Sequence, residues 1–151
     1  QGKFIEYRQV LVVDKAGTTA IYSGPNSLGI WTQAQGADVA SGGNMLANDR
    51  VPQAMVDSFL ASSGHLGDRL ISAMRAGLAA GGEAGPLHSA GILLVDSVAW
   101  PVAELRCDWT DNCPIENIAT AWEVYKPQLA AYVQRAIDPR DAPSYGVPGD
   151  Q

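Results

Sequence analysis

Apolar residues recur along this chain with two different periods, and the switch between them divides it into segments. Residues 7–14 (Tyr7, Arg8, Gln9, Val10, Leu11, Val12, Val13, Asp14) are rich in β-branched side chains, and residues 18–23 repeat that character. Lys15-Ala16-Gly17 between them is short, and its glycine can take positive φ, so the two runs read as a hairpin. Ser23-Gly24-Pro25-Asn26 is a turn cluster. Residues 28–33 and 38–43 read as two further strands with Gly36 at their turn. The period then lengthens. Asn48 or Asp49 caps a helix with Pro52 in its first turn, and Val51, Met55 and Phe59 fall at intervals of four, with Leu60 widening the stripe. Leu66, Leu70, Ile71, Met74 and Leu78 mark one face of a second helix, which Gly81-Gly82 stops. Both stripes are core-facing and require no cofactor.

Residues 87–95 form a near-continuous apolar stretch, the pattern of a central strand buried on both faces. Residues 98–109 read as another strand, and Pro101 within it implies an edge or a bulge. Pro114 opens a helix with Ile115, Ile118, Ala119, Trp122 and Tyr125 on its buried face; Pro127 breaks or kinks it, and a second segment covers 129–136. Prolines at 139, 143 and 148 mark a tail laid over the domain or a neighbour. The order is four strands, two helices, two strands and a helix. That segregation predicts an α/β (α+β) layered sandwich in which 1–137 belong to one domain and 138–151 to the tail.

Composition narrows the class without naming a reaction. The chain has 151 residues, 46% apolar and 17% charged, enough for one domain with a real core. Its formal net charge of −6 argues against a nucleic-acid partner and against an anionic membrane surface. No apolar run approaches the roughly 20 residues that span a bilayer. Two cysteines, Cys107 and Cys113, are too few for a disulfide scaffold or a sulfur-based zinc site, although a bridge across the turn between them is geometrically open. The reading is a cytoplasmic chain with reduced thiols and no cofactor. It opens on Gln1 and enters a strand pattern within a few residues, as a fragment or processed product does.

The densest chemistry lies in Gly81-Gly82-Glu83-Ala84-Gly85-Pro86-Leu87-His88-Ser89, a glycine-rich loop that delivers a carboxylate, an imidazole and a hydroxyl to a strand entrance. Such loops bring backbone N–H groups close to a ligand or oxyanion, and equally serve as a plain helix stop. His88 can act as acid, base or orienting group, or simply hydrogen-bond at the strand start. Glu104, Arg106 and Asp108 alternate along one strand face, as an ion ladder or as a wall that recognises a polar substrate. Asp108 and Asp111 together make an incomplete cation site. Asn44, after two glycines, can donate to an oxyanion or cap a turn. One of Arg8 and Gln9 must point inward, and a buried Arg8 would need Asp108 or Glu83. His65 reads as a surface connector, and the tryptophans at 31, 100, 109 and 122 as structural. No Gly-x-Ser-x-Gly or phosphate-binding glycine motif is present.

Several segments together resemble the bacterial family called domain of unknown function 1028. They are Tyr7-Arg8-Gln9-Val10; Gly43-Asn44-Met45-Leu46-Ala47; Gly81-Gly82-Glu83 with Gly85 and His88-Ser89-Ala90; and Ala103-Glu104-Leu105-Arg106-Cys107-Asp108-Trp109 with Asp111 and Pro114-Ile115. The closing Pro143-Ser144-Tyr145-Gly146-Val147-Pro148-Gly149-Asp150 is similar to the tail of one branch. The resemblance implies grouping with the Ntn hydrolases, an αββα fold, and amide-bond hydrolysis by an N-terminal Thr, Ser or Cys whose own α-amine is the base. Gln1 cannot be that nucleophile, so the resemblance implies that the N-terminal part of the fold is missing here or lies on a separate chain. Many relatives carry Gly-Asp-x-Arg-Gly in the glycine loop; here Glu83 stands in place of the Asp, and Ala84-Gly85-Pro86 replaces the basic part.

The expectation is an Ntn-type amidohydrolase-like protein acting on a small amide. Its pocket would be lined by Asn44, Glu83, His88, Ser89, Arg106 and Asp108, with the catalytic nucleophile on that other segment. Its partners would be the segment, further copies of the chain and a small-molecule substrate. The alternatives are a non-catalytic ligand-binding or assembly protein on the same fold, and an independently folding structural domain.

Overall fold

A computed structural model describes residues 2–144. Six strands form three antiparallel pairs: β1 (Gln9–Val13) with β2 (Thr19–Ser23), β3 (Ile30–Gly36) with β4 (Val39–Leu46), and β5 (Ala90–Leu94) with β6 (Ala103–Cys107). Four helices, α1 (Val51–Ala61), α2 (Leu66–Ala79), α3 (Pro114–Tyr125) and α4 (Leu129–Ile137), complete the mixed α/β architecture. The predicted element order holds throughout.

The first hairpin closes as its glycine suggests. Gly17 has φ 81°, and Asp14 Oδ1 accepts hydrogen bonds from the backbone N–H groups of Ala16 and Thr18, each at 2.8 Å. In the second hairpin the turn falls one residue later than expected. Gly36 still pairs with Val39, so Ala37 and Asp38 make the turn, with Asp38 at φ 62°. Gly36 instead lets α1 approach: a Cβ there would lie 3.0 Å from Leu60 Cδ1 and 3.3 Å from Val56 Cγ1. The β1–β2 hairpin lies against β3–β4, with Leu11 beside Gly42. Gln9 is the inward member of the Arg8–Gln9 pair; its Nε2 donates to Ser23 Oγ and to the Gly43 carbonyl, while Arg8 stays exposed.

The core gathers Ile71 of α2, Ile92 and Leu94 of β5, Val102, Ala103 of β6, and Ile118, Ala119 and Trp122 of α3. Two expectations are corrected here. β5 is covered on one face only: Ile92 and Leu94 are buried, but Leu93 is 53% exposed, because no described element lies over the other face. The stretch 98–102 is loop, not strand. Pro101 has no N–H to give a ladder, so the hairpin closes one residue on, where Val102 N–H donates to the Leu94 carbonyl.

Trp122 is fully buried, and its Nε1–H donates to Asp68 Oδ1 at 2.7 Å. Asp68 Oδ2 accepts from Lys126 Nζ at 2.6 Å, ahead of a 3-10 turn (Lys126–Gln128) where Pro127 separates α3 from α4 as expected. His65 is exposed, as a connector would be, yet it has structural work. Its Nδ1 accepts from Gly67 N–H and caps α2, while its ring meets Trp122 at 4.9 Å. The tail reading falls partly on residues 145–151, which lie outside the described residues.

Candidate functional site

The glycine loop is placed by two constraints. Gly81 and Gly82, at φ 128° and 63°, turn the chain out of α2 while their N–H groups cap the Leu78 and Gly77 carbonyls. The next residues then pair with the end of β4: Ala47 N–H donates to the Gly82 carbonyl at 3.0 Å, and Ala84 N–H to the Met45 carbonyl at 2.8 Å. Leu46 and Glu83 therefore face each other as an antiparallel bridge. This fastening sets Glu83 beside an apolar cavity of about 250 Å³, whose wall is built chiefly by Leu46, Val51, Met55, Met74 and Ile115. Ser89 and Glu83 are its polar lining residues, and both are exposed. Among the described residues, Glu83 has no ion-pair partner.

The other sequence-predicted residues are engaged elsewhere. His88 Nδ1 lies 2.9 Å from the Thr110 carbonyl oxygen, and a carbonyl only accepts, so Nδ1 carries the hydrogen. The ring stacks on Trp109 with centroids 4.0 Å apart and planes 10° from parallel; Asp111 Oδ1 stands 3.9 Å away. His88 is thus oriented by three neighbours, with Nδ1–H held by the Thr110 carbonyl and Nε2 left as the ring's acceptor. Trp109, read as structural, is 70% exposed and packs on His88 instead of entering the core.

Arg106 and Asp108 form an ion pair at 2.9 Å on the exposed face of β6. The hydrogen bonds that Arg106 donates to Asp108 first, then the Coulombic attraction of Asp108 and Glu104, raise the pKa of its guanidinium. Both side chains are well solvated, so this ladder contributes little to stability. Asn44 lines a separate cavity of about 450 Å³ with Tyr7, Arg8, Gln9 and Asn26, and its Nδ2 donates a long 3.4 Å bond to the Leu28 carbonyl. The structure therefore brings Glu83 and Ser89 together in one cavity, while the positions of Asn44 and of the Arg106–Asp108 pair are distinct from it.

A second chamber of about 250 Å³ adjoins the first, since Met55 and Met74 line both. Ser41 opens onto it. It is the buried polar residue of the described chain, and its Oγ–H meets only Met55 Sδ, at 3.5 Å. A thioether is a weak acceptor, so this hydroxyl is poorly satisfied. Sequence reasoning passed over Ser41 because a serine in a glycine-rich strand looks solvated. Only the packing of α1 on β4 buries it. Cys107 and Cys113 are free thiols. Among the described residues no cluster of three or more His, Cys, Asp or Glu side chains is placed to hold a metal ion. None of the described helices is long and apolar enough to cross a membrane.

Chemically, the first cavity offers an apolar body with one carboxylate and one hydroxyl at its lining. A carboxylate accepts hydrogen bonds from an amide or ammonium N–H. The cavity can hold and orient a small ligand, while a paired nucleophile and base are not assembled from its own lining.

The model of a family of unknown function, DUF1028, matches residues 1–118. Among solved structures, the chain is similar to the crystal structure of protein SPO2555 from Silicibacter pomeroyi, itself described under the DUF1028 family model. The two share 29% sequence identity with a TM-score of 0.71, over 80% of this chain and 53% of that one. The chain thus spans about half the length of the solved relative. No curated protein matches it.

Proposed function

The chain belongs to the DUF1028 family, and from that premise we propose that it supplies the substrate-recognising wall of an Ntn-type amide hydrolase. The observation that carries this reading is the apolar cavity with Glu83 and Ser89 in its lining. A small amide would bury its aliphatic part against Leu46, Met55 and Met74 and direct its N–H toward the Glu83 carboxylate. The nucleophile is a Thr, Ser or Cys at the N-terminus of a segment outside this stretch, with its own α-amine as base. Two features support that division of labour. Among the described residues, Ser89 makes no hydrogen bond to His88 or Glu83, so the cavity does not itself present an activated hydroxyl. The stacking of one hairpin on another with helices beyond them is compatible with an αββα layering.

Intact-mass analysis of the protein purified from its native source should reveal a companion polypeptide beginning with Thr, Ser or Cys. In that material, Glu83→Gln should raise KM for small aliphatic amides several-fold with a smaller change in kcat. A parent chain that begins with none of those residues after methionine removal refutes the mechanism.

A second reading is favoured by the dispersal of Asn44, Arg106 and Asp108 away from this cavity. The fold would then bind a small ligand, or assemble, without turning anything over. In that case small amides raise the melting temperature and are recovered unchanged. The half-exposed Val10, Val12 and Tyr22 on the first hairpin suit an apolar contact with another copy of the chain.

A further inference from the structure

The cavity of about 450 Å³ that Asn44 shares with Tyr7, Arg8, Gln9, Asn26 and Leu28 has no lining residue in common with the Glu83 cavity, and it is polar where that one is apolar. Its walls are stitched together by main-chain hydrogen bonds. Gly24 N–H donates to the Arg8 carbonyl at 2.8 Å and Asn26 N–H to the Glu6 carbonyl at 2.9 Å, which fixes the 24–28 loop on the stretch leading into β1. Met45 N–H donates to the Leu28 carbonyl at 2.9 Å, which fixes the same loop on β4. Gln9 closes the third side, since its Nε2 donates to the carbonyl of Gly43, next to Asn44. The site is preformed.

β4 departs from regular pairing where it supplies Asn44. Thr32 pairs with Gly43 and Ile30 with Leu46, so Asn44 and Met45 together face Trp31 across a β-bulge. Met45 sits at φ 53°, a region that a side chain of its size rarely adopts. Both of its main-chain groups are engaged, the N–H by Leu28 and the C=O by Ala84, so its surroundings hold this conformation at a local cost. Bulges re-aim side chains, and the one re-aimed here is Asn44, which lines the cavity.

The polar groups on these walls are largely unpartnered. Among the described residues, the Tyr7 hydroxyl, the Arg8 guanidinium and the Asn26 side-chain amide have no hydrogen-bond or ion-pair partner, and Asn44 Nδ2 makes only its long 3.4 Å bond. Acidic side chains outnumber basic ones 16 to 10 in the chain, yet among the described residues none pairs with Arg8, the one charged residue of this lining. A guanidinium presents a planar fork of donors that matches a carboxylate. One guanidinium balances one negative charge, which suits a carboxylate better than a phosphate near its second ionisation. The amides of Asn26 and Asn44 both donate and accept, so they match a neutral amide or hydroxyl beside that carboxylate.

We propose that this cavity binds a small monocarboxylate that also carries a neutral hydrogen-bonding group, with Arg8 holding the carboxylate and Asn26 and Asn44 the neutral group. The assignment is independent of the hydrolase reading, and its test reads binding, not turnover.

Amide NMR spectra of the isotope-labelled chain are recorded during titration with N-acetylglycine. Saturable shifts should appear in the signals of residues 7–9, 26–28 and 44. Arg8→Gln should weaken binding about tenfold or more, the scale of lost hydrogen bonds to a charged group. Arg8 is exposed and unpaired, so the rest of that variant's spectrum should match the parent's. Asn44→Ala should weaken binding severalfold. Lys15→Ala, which removes an exposed cation from the turn at the far end of the same hairpin, should leave it unchanged. N-acetylglycinamide, which lacks the charge, and inorganic phosphate should each bind more weakly than N-acetylglycine. Should Arg8→Gln not fold, the neutral analogue carries the same comparison. Absence of saturable shifts at these residues overturns the proposal, as does binding that survives Arg8→Gln or Asn44→Ala. Equal binding of the neutral analogue, or phosphate binding as tight as that of N-acetylglycine, also overturns it. So does an equal loss in Lys15→Ala, which would mark attraction to net charge alone.

Discussion

Gly67→Ala sets two well-calibrated effects against each other. Gly67 is the second residue of α2, and helix propensity alone favours alanine by up to about 1 kcal/mol, less in a first turn. Space decides otherwise. A Cβ at Gly67 would lie 2.6 Å from Trp122 Cε2 and 2.8 Å from Cη2, and closer still to Cζ2. The indole cannot swing aside, because it is fully buried, its N–H is bonded to Asp68, and His65 packs against it. Relief must come from shifting the first turn of α2 away from α3. Overpacking of this kind costs about 1–3 kcal/mol, and a rigid aromatic wall belongs at the upper end. The net effect is a loss of roughly 1–2 kcal/mol, or a fall in Tm of roughly 2–8 °C for a domain of this size. Urea unfolding followed by tryptophan fluorescence and far-UV circular dichroism measures it. Gly85→Ala is the control: a Cβ there meets nothing within 4 Å, so it should stay within about 0.5 kcal/mol of the parent. Trp122→Phe removes part of the opposing ring, so in that background Gly67→Ala should cost at least about 1 kcal/mol less. A Gly67→Ala protein as stable as the parent, or more so, refutes the claim that close helix approach over Trp122 dictates glycine.

Asp68→Ala should lose about 1.5–3 kcal/mol in the same urea assay, because it strands the fully buried indole N–H without its charged acceptor. Asp68→Asn, which keeps an acceptor oxygen, should recover most of that; equal losses would show that the indole bond is not what matters. His65→Ala removes the acceptor that caps α2 and should cost about 0.5–2 kcal/mol, whereas His65→Asn should largely preserve stability. The pKa of Asp68 is lowered by its hydrogen bonds from Lys126 first and Trp122 second, that of Glu116 by Arg75, and that of Asp14 by the backbone N–H groups of Thr18 and Ala16. Carboxylates depressed in the folded state stabilise it above their unfolded pKa, and that contribution is lost as pH falls through the folded values. Thermal stability should therefore decline below about pH 4. Retention of full stability at about pH 2 would contradict this assignment.

Local pattern was sufficient for most of the elements. The β-branched run at Val10, Val12 and Val13, the four-residue spacing of Val51, Met55 and Phe59, the prolines at 114 and 127, and the double glycine at 81–82 each act on φ, ψ or the nearest hydrogen bonds, so they are readable without knowledge of distant residues. The family resemblance rested instead on particular segments, such as Tyr7-Arg8-Gln9-Val10 and Ala103-Glu104-Leu105-Arg106-Cys107-Asp108-Trp109, and the family match bears it out. Burial and convergence were not local. Whether residues 87–95 are covered on one face or two depends on what lies over the hairpin, and whether Pro101 sits in a strand depends on which N–H closes it.

The candidate site divides along the same line. Glu83 and Ser89 were legible as a carboxylate and a hydroxyl beside a glycine loop, and the loop's pairing with Met45 and Ala47 is what sets them around one cavity. Asn44 and the Arg106–Asp108 pair belong to other surfaces, a separation no spacing rule encodes. Ser41 and Gly67 are the clearest cases of tertiary control. Their chemistry is a weak acceptor for a buried hydroxyl in one and a missing side chain in the other, and each acquires meaning only from an element that packs against it. By itself the sequence determined the order and kind of the elements, because those follow from interactions a few residues apart. Only the tertiary structure decided which polar groups share a cavity and which side chains are buried, because those follow from contacts between segments dozens of residues apart.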